Sequence, residues 1–237
     1  MVYTLCFDIY GIKLKVRTQN FAISEILKKI LLPFHINCSS LIHYDLDHYF
    51  DPKFSVAEII PVINPLFCKK EFWIFHSAAV TYKGKGFVFM GRSGAGKTTL
   101  TRTSLKLGLK IIGDDLILLK KCDKEVKILP MFFALQKKDK SLFDIISLKN
   151  FCKKAYLSAI FVLSGITDRS SIELIKKKSV RKKEIYKNIL WGLDEAIVKK
   201  QLFFVEELLA YPIYYFYSGK DILDNPEMLI QFFEKVI

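Results

Sequence analysis

The chain has 237 residues, 51% of them apolar, enough to bury a full-sized core and to exclude a disordered chain. Its formal charge of +13 comes from 37 Lys and Arg against 24 Asp and Glu. The excess admits an acidic partner, but no aromatic–basic interleaving or reader motif accompanies it, so nucleic acid is not expected. No apolar run reaches the roughly 18–20 residues that cross a bilayer. The start, Met1 to Lys15, has no basic leader, so a cytoplasmic protein without membrane insertion is expected.

Along the chain, "VYTLCF" and "IKLKVR" flank Asp8 to Gly11 and predict a hairpin. "SEILKKILLPF" reads as a helix capped by Ser24. The text that follows is ambiguous, and Pro61 and Pro65 break "VAEIIPVINPLF". Residues 1–70 are therefore expected to form an N-terminal subdomain or lid packed on a catalytic domain of residues 71–237. "HSAAVTY" (76–82) and "GFVFMG" (86–91) predict strands joined by a tight turn at "KGKG". A helix over "KTTLTRTSLKLG" ends near Gly108, and "LKIIG" (109–113) is a buried strand. "DLILLKK", "EVKILP", "YLSAIFVLS" (156–164) and "YPIYYFYS" (211–218) extend the sheet. One or two helices lie over 182–210, and a last helix is expected with Asn225 as cap and Pro226 at its first turn. Strands alternating with helices argue for an α/β core. The five cysteines (Cys6, Cys38, Cys68, Cys122, Cys152) are odd in number and lack a C-x-x-C. They are expected as buried free thiols, not disulfide or zinc partners.

The loudest motif is Gly91-Arg92-Ser93-Gly94-Ala95-Gly96-Lys97-Thr98, followed by Thr99. It matches G-x-x-x-x-G-K-[ST] between an apolar strand and a periodic helix. The glycines let successive backbone N–H groups face one point, and the helix N-terminus adds positive potential there. Lys97 is expected to reach the β- and γ-phosphates of ATP, and the Thr98 hydroxyl suits Mg²⁺. Downstream, the strand at 109–113 delivers Asp114 and Asp115 at its end. One carboxylate can serve the metal and the other the acceptor hydroxyl, since neighbours on an extended chain point apart. The alternative is a plain Gly-Asp turn. His76, on the strand paired with the one leading into Gly91, is either structural or a third member of the site.

The order His76 and Val80, Gly91 to Thr99, Gly108, then Gly113-Asp114-Asp115 resembles the C-terminal catalytic domain of HPr kinase/phosphorylase. It is most similar to the short HPr-kinase-like proteins, including those that phosphorylate lasso peptides. The resemblance is dense over about residues 76–120. It implies a P-loop on a mixed sheet with flanking helices, related to phosphoenolpyruvate carboxykinase. It also implies Mg-ATP, and γ-phosphoryl transfer to a serine-type hydroxyl of a protein, peptide or small molecule. His76, Lys97, Asp114 and Asp115 become the catalytic group, with Asp114 assigned as base and Asp115, with Thr98, as metal ligand. The family forms oligomers, which admits self-association here. Two departures stand out. Thr98 and Thr99 follow Lys97 where HPr kinases carry an acidic residue. The region "EVKILPMFFALQ" also lacks their glycine-rich stretch with a glutamate. Lys176 to Lys183 could line the rim of an acidic acceptor's site, with Arg169 or Arg181 reaching a phosphate. The competing readings are a regulatory NTPase and a nucleotide-bound scaffold without turnover.

Overall fold

A computed structural model describes residues 1–37, 44–47, 60–132, 135–136, 143–144 and 147–237. The chain opens with the expected hairpin, β1 (Tyr3–Ile9) and β2 (Ile12–Thr18), turned at Tyr10 and Gly11. Ile12, Leu14 and Val16 alternate inward along β2 and share a core with α1 (Phe21–Ile30). The helix starts earlier than predicted. Asn20 caps it, its Oδ1 accepting from the N–H groups of Ala22 and Ile23, and Ser24 lies buried inside the first turn. β3 (Tyr44–Asp47) runs parallel to β2. α2 (Ile60–Lys69) forms where the prolines predicted a break. It accommodates Pro65 inside because proline removes only one N–H from the helix ladder and apolar packing on neighbouring residues offsets that loss.

The main sheet follows. β4 (Trp73–Tyr82) and β5 (Lys85–Met90) form a hairpin turned at Lys83 and Gly84. Next come α3 (Lys97–Lys106), β6 (Lys110–Gly113), β7 (Leu116–Cys122) and β8 (Glu125–Pro130). β9 (Leu135–Gln136) and β10 (Phe143–Asp144) pair with each other. β11 (Ala155–Ile166), β12 (Ser171–Leu174), α4 (Lys178–Tyr186), α5 (Glu195–Leu208), β13 (Ile213–Ser218), α6 (Asp221–Asp224) and α7 (Met228–Glu234) complete the chain. The eight-stranded sheet runs β12-β13-β11-β5-β4-β7-β8, with β6 also on β4. It is mixed: β11 is parallel to both β5 and β13, and the other pairings are antiparallel. β8 pairs back onto the start of β11.

Strand alternation sorts the side chains onto two faces. Phe87, Phe89, Phe161 and Phe216 pack with Phe232 and Phe233 of α7, with the Phe87 and Phe233 rings stacked at 4.3 Å. Val88, Met90, Ile160 and Ile213 pack the opposite way, against Phe204, Val205 and Leu208 of α5. The mixed α/β sheet flanked by helices matches the expected class. The last helix begins later than predicted: Asn225 ends α6 instead of capping α7. The N-terminal hairpin touches the sheet through Tyr10. Its hydroxyl donates to the Pro130 carbonyl at 2.9 Å and its ring stacks on Phe72.

The cysteine expectation needs correcting. Cys6 is disulfide-bonded. Cys68 is a free buried thiol, and Cys122 and Cys152 are free but only half-buried. An odd cysteine count speaks to the whole set and leaves open a single pair. Cys38 lies outside the described residues. Among the described residues no helix is long and apolar enough to cross a membrane.

Candidate functional site

The glycine loop sits between β5 and α3, as the motif predicted. Gly94 and Gly96 have φ values of 81° and 101°, left-handed backbone that a side chain would oppose. Gly96 is the N-cap of α3 and offers no capping side chain. The start of α3 thus carries no side-chain cap from Gly96, and it is the positive end of the helix, a geometry that suits an anion. Lys97, only 6% exposed, folds back over the loop, donating from Nζ to the Gly91 carbonyl at 2.7 Å and the Arg92 carbonyl at 3.3 Å. Arg92 and Ser93 stand exposed on the loop, Ala95 is half-buried, and Thr99 points outward from α3.

Asp114 and Asp115 follow directly on the end of β6, where the sequence placed them. β6 and β7 both run antiparallel to β4, β6 opposite Ala79–Thr81 and β7 opposite Trp73–His76. The two acids form the jog between them. Gly113 is required there, because a Cβ would meet Leu116 O at 3.0 Å and Ile117 Cγ2 at 2.9 Å. Asp115 adopts a φ of 76°, so the two neighbouring carboxylates diverge. Asp114 turns inward and is 4% exposed. It accepts from Thr98 Oγ1 at 3.0 Å and from Thr101 Oγ1 at 3.2 Å. Asp115 turns to His76, whose Nε2 lies 2.8 Å from Asp115 Oδ1, with about a third of each side chain exposed.

The site therefore has two arms. One joins Thr98 to Asp114: two hard oxygens at the start of α3, a donor set that fits Mg²⁺. The other is the His76–Asp115 pair, which is open to solvent. Among the described residues no group of three or more His, Cys, Asp and Glu side chains is placed to hold a metal. An ion on the first arm would thus need phosphate or water oxygens to complete its shell, the usual habit of Mg²⁺.

A cavity of about 960 Å³ opens beside the loop. Its walls are Gly91 to Ala95 and His76, the end of β11 from Val162 to Ile166, and Glu184, Lys187 and Asn188 at the end of α4. Tyr215 closes one side; burial first, and then the nearby Glu184 charge, push its phenol pKa up.

Three of these features escaped the sequence. Thr101 had no motif to mark it. Glu184 and Lys187 pair with each other across one turn at 2.7 Å. Asn188, the third, is 4% exposed and accepts the Gly91 N–H on its Oδ1 at 3.0 Å. The only sequence signal for it was a polar residue set against the apolar Ile189-Leu190-Trp191. Part of the basic cluster pairs with α5. Lys178 and Lys182 both pair with Glu206 of α5. Arg181 donates to the carbonyls of Leu209 and Tyr211 just beyond α5.

No family model matches the sequence, and no curated protein matches it. Among solved structures, the chain is similar to the Hpr(Ser) kinase/phosphatase from Coxiella burnetii at 9% sequence identity and a TM-score of 0.37, over 67% of this chain and 98% of that one.

Proposed function

We propose that the protein is an ATP-dependent kinase that moves the γ-phosphoryl group of Mg-ATP to a serine-type hydroxyl on a protein, peptide or small molecule. The observation that carries the reading is the division of labour between the two adjacent acids: Asp114 is tied to Thr98 at the helix start, and Asp115 is tied to His76 at the open cavity. A site that only grips nucleotide has no use for the second, solvent-facing pair.

In this reading the backbone N–H groups of the glycine loop beyond Gly91 cradle the phosphates and Lys97 neutralises charge on the γ-group. Thr98 and Asp114 would hold Mg²⁺, which supplies charge neutralisation on the transferring group when bound. Asp115 accepts the acceptor's proton, and His76 orients the carboxylate and shares its charge. This assignment swaps the roles that the sequence resemblance suggested for the two acids. An aspartate is a weak base against an alcohol, but a loose transition state puts off the need for the proton. The acceptor enters by the cavity between the loop and the Glu184–Lys187 wall.

The test is a time course with ATP labelled on its γ-phosphate, run with and without an extract of the cells that make the protein. Label appearing on an extract component, with little free phosphate in its absence, is the expected result. Free phosphate released at the same rate in both reactions would instead identify an NTPase.

A further inference from the structure

His76 and Gly91 would be the next rung of the β4–β5 ladder after Ser77 and Met90. That rung is missing, because β5 turns away at Gly91 into the loop. Residues 188–190 take its place along β4. The His76 N–H donates to the Asn188 carbonyl at 2.7 Å, and the Leu190 N–H donates to the Ile74 carbonyl at 2.9 Å. Phe75 and Ile189 form an antiparallel bridge between these two bonds. The Gly91 N–H, deprived of β4, donates to Asn188 Oδ1 at 3.0 Å, and the Gly91 carbonyl receives Lys97 Nζ. Asn188 thus fills the fork from both sides. Its backbone holds the strand that bears His76, and its side chain holds the first residue of the glycine loop. Its own amide is fixed by donation from Nδ2 to the Glu184 carbonyl at 2.8 Å.

We propose that Asn188 is a positioning residue that sets the separation between the glycine loop and the His76–Asp115 pair. Its effect on phosphoryl transfer rests on the kinase reading; its hold on the loop does not. Few side chains can do this. The acceptor must reach a buried N–H while a donor on the same group reaches the end of α4. Alanine reaches neither. Aspartate keeps the acceptor, loses the donor, and adds a negative charge beside a loop built for anions.

The full chain and its Asn188→Ala and Asn188→Asp variants would be compared well below each one's thermal midpoint. The measurements are amide hydrogen exchange at Gly91 and Val88, Mg-ATP affinity, and single-turnover transfer. In Asn188→Ala, Gly91 protection is expected to fall at least about tenfold, because a buried N–H loses its partner, while Val88 within β5 keeps its own. The transfer rate should fall at least about tenfold as well, since small misplacements at a reacting centre are costly. Asn188→Asp should keep Gly91 protected but bind Mg-ATP more weakly, with the deficit shrinking as salt screens the added charge. Unchanged Gly91 protection in Asn188→Ala overturns the clamp, whether or not the protein is a kinase. A lowered thermal midpoint with transfer by the folded variant at the wild-type rate overturns the positioning role. A wild-type protein that transfers nothing overturns the kinase reading instead, and exchange at Gly91 still decides the clamp.

Discussion

Replacing Asp115 with asparagine separates the two acids more cleanly than any other change. The backbone there has a φ of 76°, a region that asparagine tolerates and that costs alanine about 1–2 kcal/mol. The new amide would also retain a polar partner for His76 at the 2.8 Å contact, so the fold is expected to survive. The carboxylate, and with it the proposed base, is lost. General-base catalysis is worth about 10²–10⁴-fold, so the single-turnover rate should fall by that factor, about 3–5 kcal/mol of barrier. Mg-ATP affinity should stay within about threefold, under 1 kcal/mol, because the contact being altered is with His76 and not with the loop. Asp114→Asn should behave differently. It removes the charge that faces Thr98 and Thr101, so Mg-ATP affinity itself should drop by about tenfold or more. The assay is rapid-quench transfer from labelled ATP, paired with calorimetric titration of Mg-ATP. Near-wild-type transfer by Asp115→Asn would refute the reasoning. So would an Asp114→Asn protein that binds Mg-ATP normally yet transfers nothing, which would return the base to Asp114.

Further outcomes are expected. Lys97→Ala should weaken Mg-ATP binding at least about tenfold in the same titration, since the proposed charge-assisted contact to phosphate would disappear. Gly96→Ala should cost about 1–2 kcal/mol in chemical denaturation through backbone strain alone, as no atom lies within 4 Å of the added Cβ. Gly86→Ala should cost more, because its Cβ would meet the Tyr156 carbonyl oxygen at 3.0 Å and Ala155 Cβ at 3.2 Å on the neighbouring strand; equal losses for the two would contradict the packing argument. Cys68, whose thiol burial pushes up to about 11, should be alkylated at pH 8 well after the half-buried Cys122 and Cys152, as mass spectrometry of timed samples can show. Hydrogen bonds from Ser170 hold the Asp221 carboxyl below its ordinary value. Its contribution to stability is therefore present above the ordinary carboxylate pKa and lost as pH falls through the lowered one. The gap in thermal midpoint between wild type and Asp221→Asn should close across that acid range, and a constant gap would show that the carboxyl does not titrate with folding.

Where local chemistry dominated, the sequence was readable. The hairpin at Tyr10–Gly11, the strand pair meeting at Lys83–Gly84 and the glycine loop all formed where turn residues and alternation placed them. The α1 cap was misplaced because Asn20 and Ser24 are both competent caps, and Phe21 at the helix start hid the earlier one. The place of the two acids after β6 was legible, with a turn there as the alternative reading, but the jog that carries them onto β7 was not. That jog exists only because β6 and β7 share β4 as a partner, a long-range pairing that no local pattern encodes. The same holds for Asn188, whose significance depends on β5 leaving the sheet almost a hundred residues earlier in the chain. Lysines at 176–183 were legible as charge but not as structure, since Glu206, which pairs with two of them, lies on another helix.

A structure with Mg²⁺ and a non-hydrolysable ATP analogue tests the central claim most directly. The γ-phosphate should lie beside Lys97 and face the Asp115 carboxylate across a gap that admits one hydroxyl, with Asp114 and Thr98 on the metal side. A γ-phosphate directed away from the His76–Asp115 pair, or a pair screened from it by protein, would contradict the account and leave a nucleotide-binding loop without a transfer site.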